Sequence, residues 1–263
     1  MKRLHLFEFH DLGWYPNDWR NLLTDIMTSF AVKCKPYRPI APRLRIALER
    51  LNCWRVIDLC SGAAGPVSSL LEELGRVGGP PVTFTLTDKY PNITLFKQMA
   101  AKWPDSISYC EDPVDATNVP KELEGFRTLF TSFHHFDTEA ARGILQDAVH
   151  KRQGIGVFEY TERRFWLWVP SLLLTPVFIW LIIPFIRPFR WRRLLWTYAM
   201  PVWMVFGLWD GLVSCLRTYS PQELEELTVD LCDGGYSWEI GRIRSIGACR
   251  VTYLLGIPPS NIA

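Results

Sequence analysis

Apolar and polar positions alternate along this chain with two different periods, and the switches between them mark its elements. Short runs rich in β-branched and apolar residues at 54–58, 82–88, 107–110, 127–133 and 155–160 read as strands, and helical stripes at 66–75, 92–102 and 137–151 stand between most of them. Strand–helix–strand alternation at this spacing predicts an α/β fold built on a parallel sheet. Ahead of it, a helix is expected from Asp18 to about Val32, capped by Asn17, then a Pro36-x-x-Pro39-x-x-Pro42 passage into a helix over Arg43–Leu51. After it, Ser220-Pro221-Gln222-Glu223 supplies an N-cap, a proline at the first helical position and an N3 glutamate, so a helix should run from Pro221 to about Leu231. Two last strands, near 236–244 and 248–256, are joined by a short loop and must pair antiparallel. The chain thus divides into a helical cap (1–50), a core (51–164), an apolar insertion (165–217) and a C-terminal helix with two strands that complete the core (218–263).

The first strand ends in Asp58 and breaks into Leu59-Cys60-Ser61-Gly62-Ala63-Ala64-Gly65-Pro66 before the next helix. Small residues there let a ligand approach the backbone, and the helix start offers unpaired N–H groups. The second strand leads to Asp88, one βαβ unit later. Ligands of open α/β sheets sit outside the carboxyl ends of the strands, so Asp58 and Asp88 are expected to face one crevice, with Asp88 toward ribose hydroxyls. A dinucleotide fingerprint wants Gly-x-Gly-x-x-Gly against a pyrophosphate, which the Asp58 carboxylate would repel; a cationic ligand would be attracted. S-adenosylmethionine, with its adenosine, sulfonium and α-amino group and no phosphate, fits. The rival is a nicotinamide-dependent oxidoreductase, whose last strand would not be reversed.

The Asp-Leu-x-x-Gly-x-x-Gly turn, Asp88 and Asp115-Ala116 resemble the class I S-adenosylmethionine-dependent methyltransferases over roughly residues 52–162 and again at the C-terminus. Leu4-His5-Leu6-Phe7-Glu8-Phe9, Ser132-Phe133-His134-His135-Phe136 and Pro184-Phe185-Ile186-Arg187-Pro188-Phe189-Arg190-Trp191 resemble a bacterial subgroup of that superfamily. The resemblance implies a Rossmann-like seven-stranded methyltransferase sheet with a reversed last strand. It also implies that S-adenosylmethionine is bound by Asp58, Ser61, Gly62, Ala64, Gly65, Asp88, Asp115 and Ala116, with Asp115 at the adenine amino group and Ala116 backbone at the ring. A cap on a short helical turn is the plainer role for Asp115. The family pattern is usually Asp-x-Gly-x-Gly-x-Gly, and Cys60 and Ala64 stand here at two of those glycines. That departure supports the alternative of a non-catalytic, membrane-tethered module that keeps the fold.

Composition narrows the function classes. The 263 residues carry a formal charge of only +2, unlike a nucleic-acid binder with its clustered basic face. Seven scattered cysteines show no metal-ligand spacing, which reads as a reduced, metal-free protein. Lys2 and Arg3 are followed at once by Glu8 and Asp11, so no signal-peptide core is expected and the protein reads as cytoplasmic.

The insertion changes that picture. Phe165–Ile186 has no charge over roughly 22 residues, and Leu194–Trp209 is a second apolar run of about 16. As a spanning hairpin it would carry Arg187, Arg190, Arg192 and Arg193 across the membrane against the positive-inside tendency, and Pro170, Pro176 and Pro184 interrupt the first run. An interfacial segment fits better: six arginines (163, 164, 187, 190, 192, 193) would hold phosphates and seven tryptophans (166, 168, 180, 191, 196, 203, 209) would sit at headgroup level. A lid over the core or an oligomer surface is the plainer alternative. The expected partners are the membrane surface, through 165–209, and a lipid-like or apolar small-molecule acceptor; no nucleic acid is expected.

Chemistry should lie where the fourth strand meets the acceptor. His134 and His135 are expected to end that strand, with one of them facing the substrate and able to take a proton from oxygen or nitrogen; packing into the following turn is the non-chemical role. Glu159, at the end of the fifth strand, either orients a substrate hydroxyl or pairs with Arg163 or Arg164, and Glu162 shares the first possibility. His5 and His10 read as surface or packing residues. The Asn/Asp-Pro-Pro-Tyr tetrapeptide is missing, against nucleobase or amide N-methylation of that type.

Overall fold

A computed structural model describes residues 2–62, 64–186, 189–232 and 235–259, with the backbone alone at 165–169 and 171–173. Its elements run α1 (Asn17–Cys34), α2 (Ala41–Arg50), β1 (Arg55–Asp58), α3 (Gly65–Val77), β2 (Thr83–Leu86), α4 (Ile93–Lys102), β3 (Ile107–Tyr109), β4 (Phe126–Phe130), α5 (Thr138–His150), β5 (Ile155–Glu159), α6 (Phe165–Ile182), α7 (Trp191–Leu194), α8 (Val202–Arg217), α9 (Pro221–Thr228), β6 (Ser237–Arg244) and β7 (Arg250–Ile257).

The strands form one seven-stranded sheet in the order β3-β2-β1-β4-β5-β7-β6. β1 to β5 are parallel, and β7 lies antiparallel between β5 and β6. The expected reversed strand is present, and the unreversed edge that the nicotinamide reading requires is not. Chain order turns round between β1 and β4, which opens a crevice at their carboxyl ends.

Alternating side chains send the sheet into two cores. Val56 faces Leu44, Leu70 and Phe84 on one side, while its neighbour Ile57 faces Leu129, Ile144 and Leu254 on the other. The capping box at Ser220 and Glu223 forms as the sequence predicts. Asn17 does not cap: Pro16 takes that position, and Asn17 is the first helical residue, accepting from Arg20 through its side-chain oxygen. β4 stops at Phe130, short of the predicted Phe133, because Thr131 turns left-handed (φ 43°). Thr131 Oγ1 is engaged there by the Tyr37 hydroxyl and by the Tyr160 N–H.

Cap and insertion share a third, smaller core, in which Leu22 and Ile26 of α1 meet Ile179, Ile183, Ile186, Trp203 and Met204. α1 also lies against the start of α3, where a Cβ on Gly65 would come within 3.2 Å of Thr28 Cα and 3.3 Å of the Ala31 methyl. Gly65 therefore serves helix packing at this position. Gly65→Val should push α1 away and lower unfolding free energy by about 1–3 kcal/mol, read from urea denaturation; unchanged stability would remove this packing role.

Candidate active site

The turn after β1 is held from beneath. The Asp58 carbonyl accepts from Thr87 N–H (2.9 Å), Thr87 Oγ1 (2.9 Å) and Ser61 Oγ (2.8 Å). Its carboxylate accepts from Thr128 Oγ1 on β4 at 2.9 Å. Asp58 is only 2% exposed, so it lies under the crevice instead of facing it as expected. Burial, relieved in part by its hydroxyl partners, pushes its pKa up to about 7.

Above it, Cys60, Gly62 and Ala64 all adopt left-handed backbones, at φ 55°, 52° and 52°. The two positions where glycine is missing thus hold the conformation a glycine would take. A Cβ on Gly62 would meet nothing within 4 Å, leaving its backbone open to a ligand. Gly62 N–H donates to Asp88 Oδ2 at 2.8 Å, and Tyr90 N–H donates to Asp88 Oδ1 at 2.9 Å. Each Asp88 oxygen keeps a further lone pair for ribose hydroxyls. The buried Ser61 side chain and the Ala64 methyl sit inside the turn, not on its outer surface.

Asp115 takes the plainer role the sequence allowed: Oδ1 accepts from Thr117 N–H (2.9 Å) and Thr117 Oγ1 (2.7 Å). Lys89 pairs with its other oxygen at 2.8 Å and, with Thr117, holds its pKa down to about 2. Asp115 nevertheless stands at the crevice rim beside Asp88, and Ala116 is buried beneath it. Lys89 is a rim residue that sequence reading missed.

Beyond β4 the histidines sit on a single 3-10 turn, Phe133–His135, and not on the strand. His134 and Glu159 are both buried and face each other, Nδ1 to Oε2, at 2.8 Å. Glu159 Oε1 accepts from the backbone N–H of Phe133 (2.8 Å) and His134 (3.2 Å), so the carboxylate fixes the whole turn. An acceptor at Nδ1 puts the imidazole proton there and leaves Nε2 bare; Nε2 is buried and has no partner. The predicted Glu159–arginine pair does not form: Arg163 pairs with Glu223, and Arg164 with Glu162. Glu162, the other acid proposed for a substrate, faces Arg164 at 3.5 Å and Arg242 at 3.8 Å, and its buried Oε1 has no hydrogen-bond partner. His135 points away from His134's partner, toward Glu8, Asp11 and Arg217.

Three of the insertion's arginines pair with two protein acids. Arg190 and Arg193 pair with Asp25, and Arg192 with Asp18, all on α1. With Phe189, Trp191 and Trp196 they line a cleft of about 440 Å³. Arg187, Pro188 and the side chains of Trp166 and Trp168 lie outside the described residues. Among the described residues no single helix is long and apolar enough to cross a membrane, although the pair Trp191–Ala199 and Val202–Arg217, bent by 88°, passes that test together.

No family model matches this sequence, and no curated protein does. Solved structures do resemble the fold. Mitomycin 7-O-methyltransferase MmcR aligns with TM-score 0.53 and 13% identity, over 94% of this chain and 60% of its own. The plantazolicin methyltransferase BpumL in complex with SAH aligns with TM-score 0.54 and 11% identity, over 95% and 94%. The fold is that of the class I methyltransferases. A putative Zn-dependent alcohol dehydrogenase from Rhodobacter sphaeroides aligns with TM-score 0.52 and 14% identity, over 97% and 100%. At these identities the likeness reaches the fold alone, and this chain spans 60% of the mitomycin enzyme's length.

Within this methyltransferase fold, Asp58 has a consequence for stability. Its folded pKa of about 7 lies above the unfolded value of 3.8, so the folded state keeps a proton that the unfolded chain releases. Its contribution is complete below pH 4 and is lost as pH rises to about 7. Asp58→Asn keeps the Thr128 bond without the charge. Relative to wild type it should gain about 3 kcal/mol between pH 5 and pH 8, read from urea midpoints; parallel pH profiles for the two proteins would refute the buried-proton account.

Proposed function

We propose that this chain is an S-adenosylmethionine-dependent methyltransferase that transfers methyl to an oxygen or nitrogen of an apolar, lipid-like acceptor at the cytoplasmic face of a membrane. The observation that carries the reading is the pairing, at one sheet edge, of an open left-handed turn facing Asp88 with the buried His134–Glu159 dyad across the β1/β4 crevice. Gly62 and Ser61 backbone would line the cofactor, Asp88 would take its ribose hydroxyls, and Asp115 would meet the adenine amino group once Lys89 swings aside. That ion pair is exposed on both sides and worth little, so its loss is tolerable. Asp58, below, would favour a cation overhead when ionised.

When bound, S-adenosylmethionine supplies an electrophilic methyl group on sulfur. His134 Nε2 would accept the hydrogen bond of the acceptor's O–H or N–H and take its proton as the nucleophile displaces the methyl group from sulfur, the neutral thioether S-adenosylhomocysteine being the leaving group. Glu159 keeps Nδ1 protonated and steadies the imidazolium that forms. A bound nucleophile also relieves the burial of an unpartnered nitrogen. Direct displacement otherwise needs alignment, which the rigid turn supplies.

The insertion supports an apolar partner. One side of it packs on α1, while Leu181 (66%), Phe185 (71%), Trp191 (64%) and Val205 (65%) remain exposed, a surface of the kind that meets lipid or apolar ligands. The arginines' pairing with Asp18 and Asp25 shifts the weight of this reading from phosphate attraction to apolar insertion.

Calorimetric titration should show one S-adenosylhomocysteine bound per chain, weakened about 10–100-fold in Asp88→Ala, the loss of hydrogen bonds to a charged group. No heat from the intact chain would overturn the enzyme reading. His134→Ala should keep that affinity while lowering methyl transfer into a lipid extract by about 10²–10⁴-fold; equal transfer would remove His134 as the base. In liposome flotation, a Leu181→Ser, Phe185→Ser, Trp191→Ser variant should stay in the soluble fraction while wild type floats; equal partition of the two would sink the membrane contact.

A further inference from the structure

Behind His134 lies a second polar cluster that methyl transfer does not use. Glu8, His10 and Asp11 come from the N-terminal segment, whose Phe9–Asp11 stretch is a single 3-10 turn, and His135 comes from the turn after β4. Each offers one ligand atom, and the four atoms lie within 4.8 Å of one another. Glu8 has no exposed surface, and its Oε2 has no hydrogen-bond partner. That oxygen points into the cluster, 3.4 Å from His10 Nδ1 and 3.7 Å from His135 Nδ1. A buried carboxylate oxygen without a donor is costly, and a cation held in the cluster would relieve it.

The surroundings agree. Arg217 Nη1 reaches Glu8 Oε1 and Asp11 Oδ2, each at 3.2 Å, but engages the other Glu8 oxygen and leaves Oε2 unserved. Asp210 accepts from Phe9 N–H (2.6 Å) and from His10 N–H (3.2 Å), and its Oδ2 lies 3.3 Å from His10 Nδ1; with the ring proton on that side, Nε2, which faces Asp11 at 3.3 Å, is the ring's free ligand atom, as in carboxylate-backed ligating histidines. Three carboxylates (Glu8, Asp11, Asp210) thus gather here with one guanidinium, Arg217, which reaches Glu8 and Asp11. The acids outnumber the guanidinium, an excess of negative charge that a divalent ion would offset.

We propose that Glu8, His10, Asp11 and His135 bind one divalent first-row transition-metal ion. Two imidazoles and two carboxylates, with no thiolate, favour zinc, manganese or iron over magnesium or calcium, which prefer all-oxygen sets. Metal–ligand bonds of about 2.1 Å in tetrahedral array put ligand atoms about 3.4 Å apart, and the four ligand atoms here, one from each residue, all lie within 4.8 Å of one another, so a small contraction closes them around an ion. The ion adds to the ties that already hold the N-terminal segment on the β4 turn and α8, among them Leu4 N–H to Leu216 O, Arg3 to the His134 and Phe136 carbonyls, and Asp210 and Arg217 to residues 6–11. The expectation of a metal-free protein rests on the absence of Cys-x-x-Cys and Cys/His spacing; the carboxylate–histidine cluster found among the described residues joins the short run Glu8, His10 and Asp11 to His135, 124 or more residues later.

The test uses the full chain, stripped with chelator, then titrated calorimetrically with zinc, manganese or magnesium chloride. One zinc or manganese per chain is expected, with magnesium much weaker. His10→Ala and His135→Ala should each weaken binding by more than about tenfold, the loss that removal of even an outer partner brings. Glu8→Gln keeps the shape without the charge and should also lose affinity, while being no less stable than metal-stripped wild type; it serves if a histidine variant fails to fold. Zinc should also slow proteolysis within residues 2–12 in wild type and not in Glu8→Gln. Absence of stoichiometric zinc and manganese binding, or affinity unchanged in all folded variants, would overturn the site.

Discussion

The hydrogen-bond network around Asp58 is the constraint on which the candidate site depends. One residue, the last of β1, receives Thr87 from the β2 end, Ser61 from its own turn and Thr128 from β4. Three adjacent strands are therefore locked at the carboxyl edge where their order reverses. The crevice has a fixed floor because of this, and Asp88 can meet Gly62 across it. A buried acid held by hydroxyls, with its pKa raised toward neutrality, makes that floor sensitive to a positive charge above. Stability and the charge of whatever the crevice holds are thereby linked through a single carboxyl group.

Most of the scaffold was legible because it is written in short-range signals. Strand and helix periods, the Ser220 capping box and the short loop before the last strand all act over a few residues, and each formed. What was missed depends on partners far along the chain. For Glu159 the sequence offers a substrate hydroxyl or its sequence neighbours Arg163 and Arg164; it lies instead against His134, brought there by the β4–β5 register. Asn17 carried a cap signal, yet Pro16 took the cap position and Asn17 turned to Arg20. Thr131 carries no turn signal at all. Its left-handed backbone, held by Tyr37 and Tyr160, ends β4 early and places the histidines on a turn.

The insertion shows the same limit in electrostatic form. Its arginines read as a basic border while the chain was a string, since the nearest acids in sequence are Glu162 and Asp210. Folding brings α1 alongside, and Asp18 and Asp25 take up three of them. The small core of Ile179, Ile183, Ile186, Trp203 and Met204 against Leu22 and Ile26 makes cap and insertion one unit. Apolar side chains on the opposite side stay uncovered, and the hydrophobic effect alone gives no reason for a chain to leave them so.

The turn after β1 resolves the departure that the sequence made most conspicuous. Glycine's usual advantage there is freedom to reach positive φ, and an L-residue held in the left-handed region loses about 1–2 kcal/mol. Cys60 and Ala64 adopt that region all the same. The strain is sustained because the turn is over-determined: Ser61 is tied at both its backbone and its hydroxyl, Gly62 is held by Asp88, and the Ala64 methyl is wholly buried. Two residues stiffer than glycine leave the unfolded chain fewer conformations and the folded turn less play. A ligand meeting such a turn has little backbone left to order, so the missing glycines argue for a preformed site and against a decayed one.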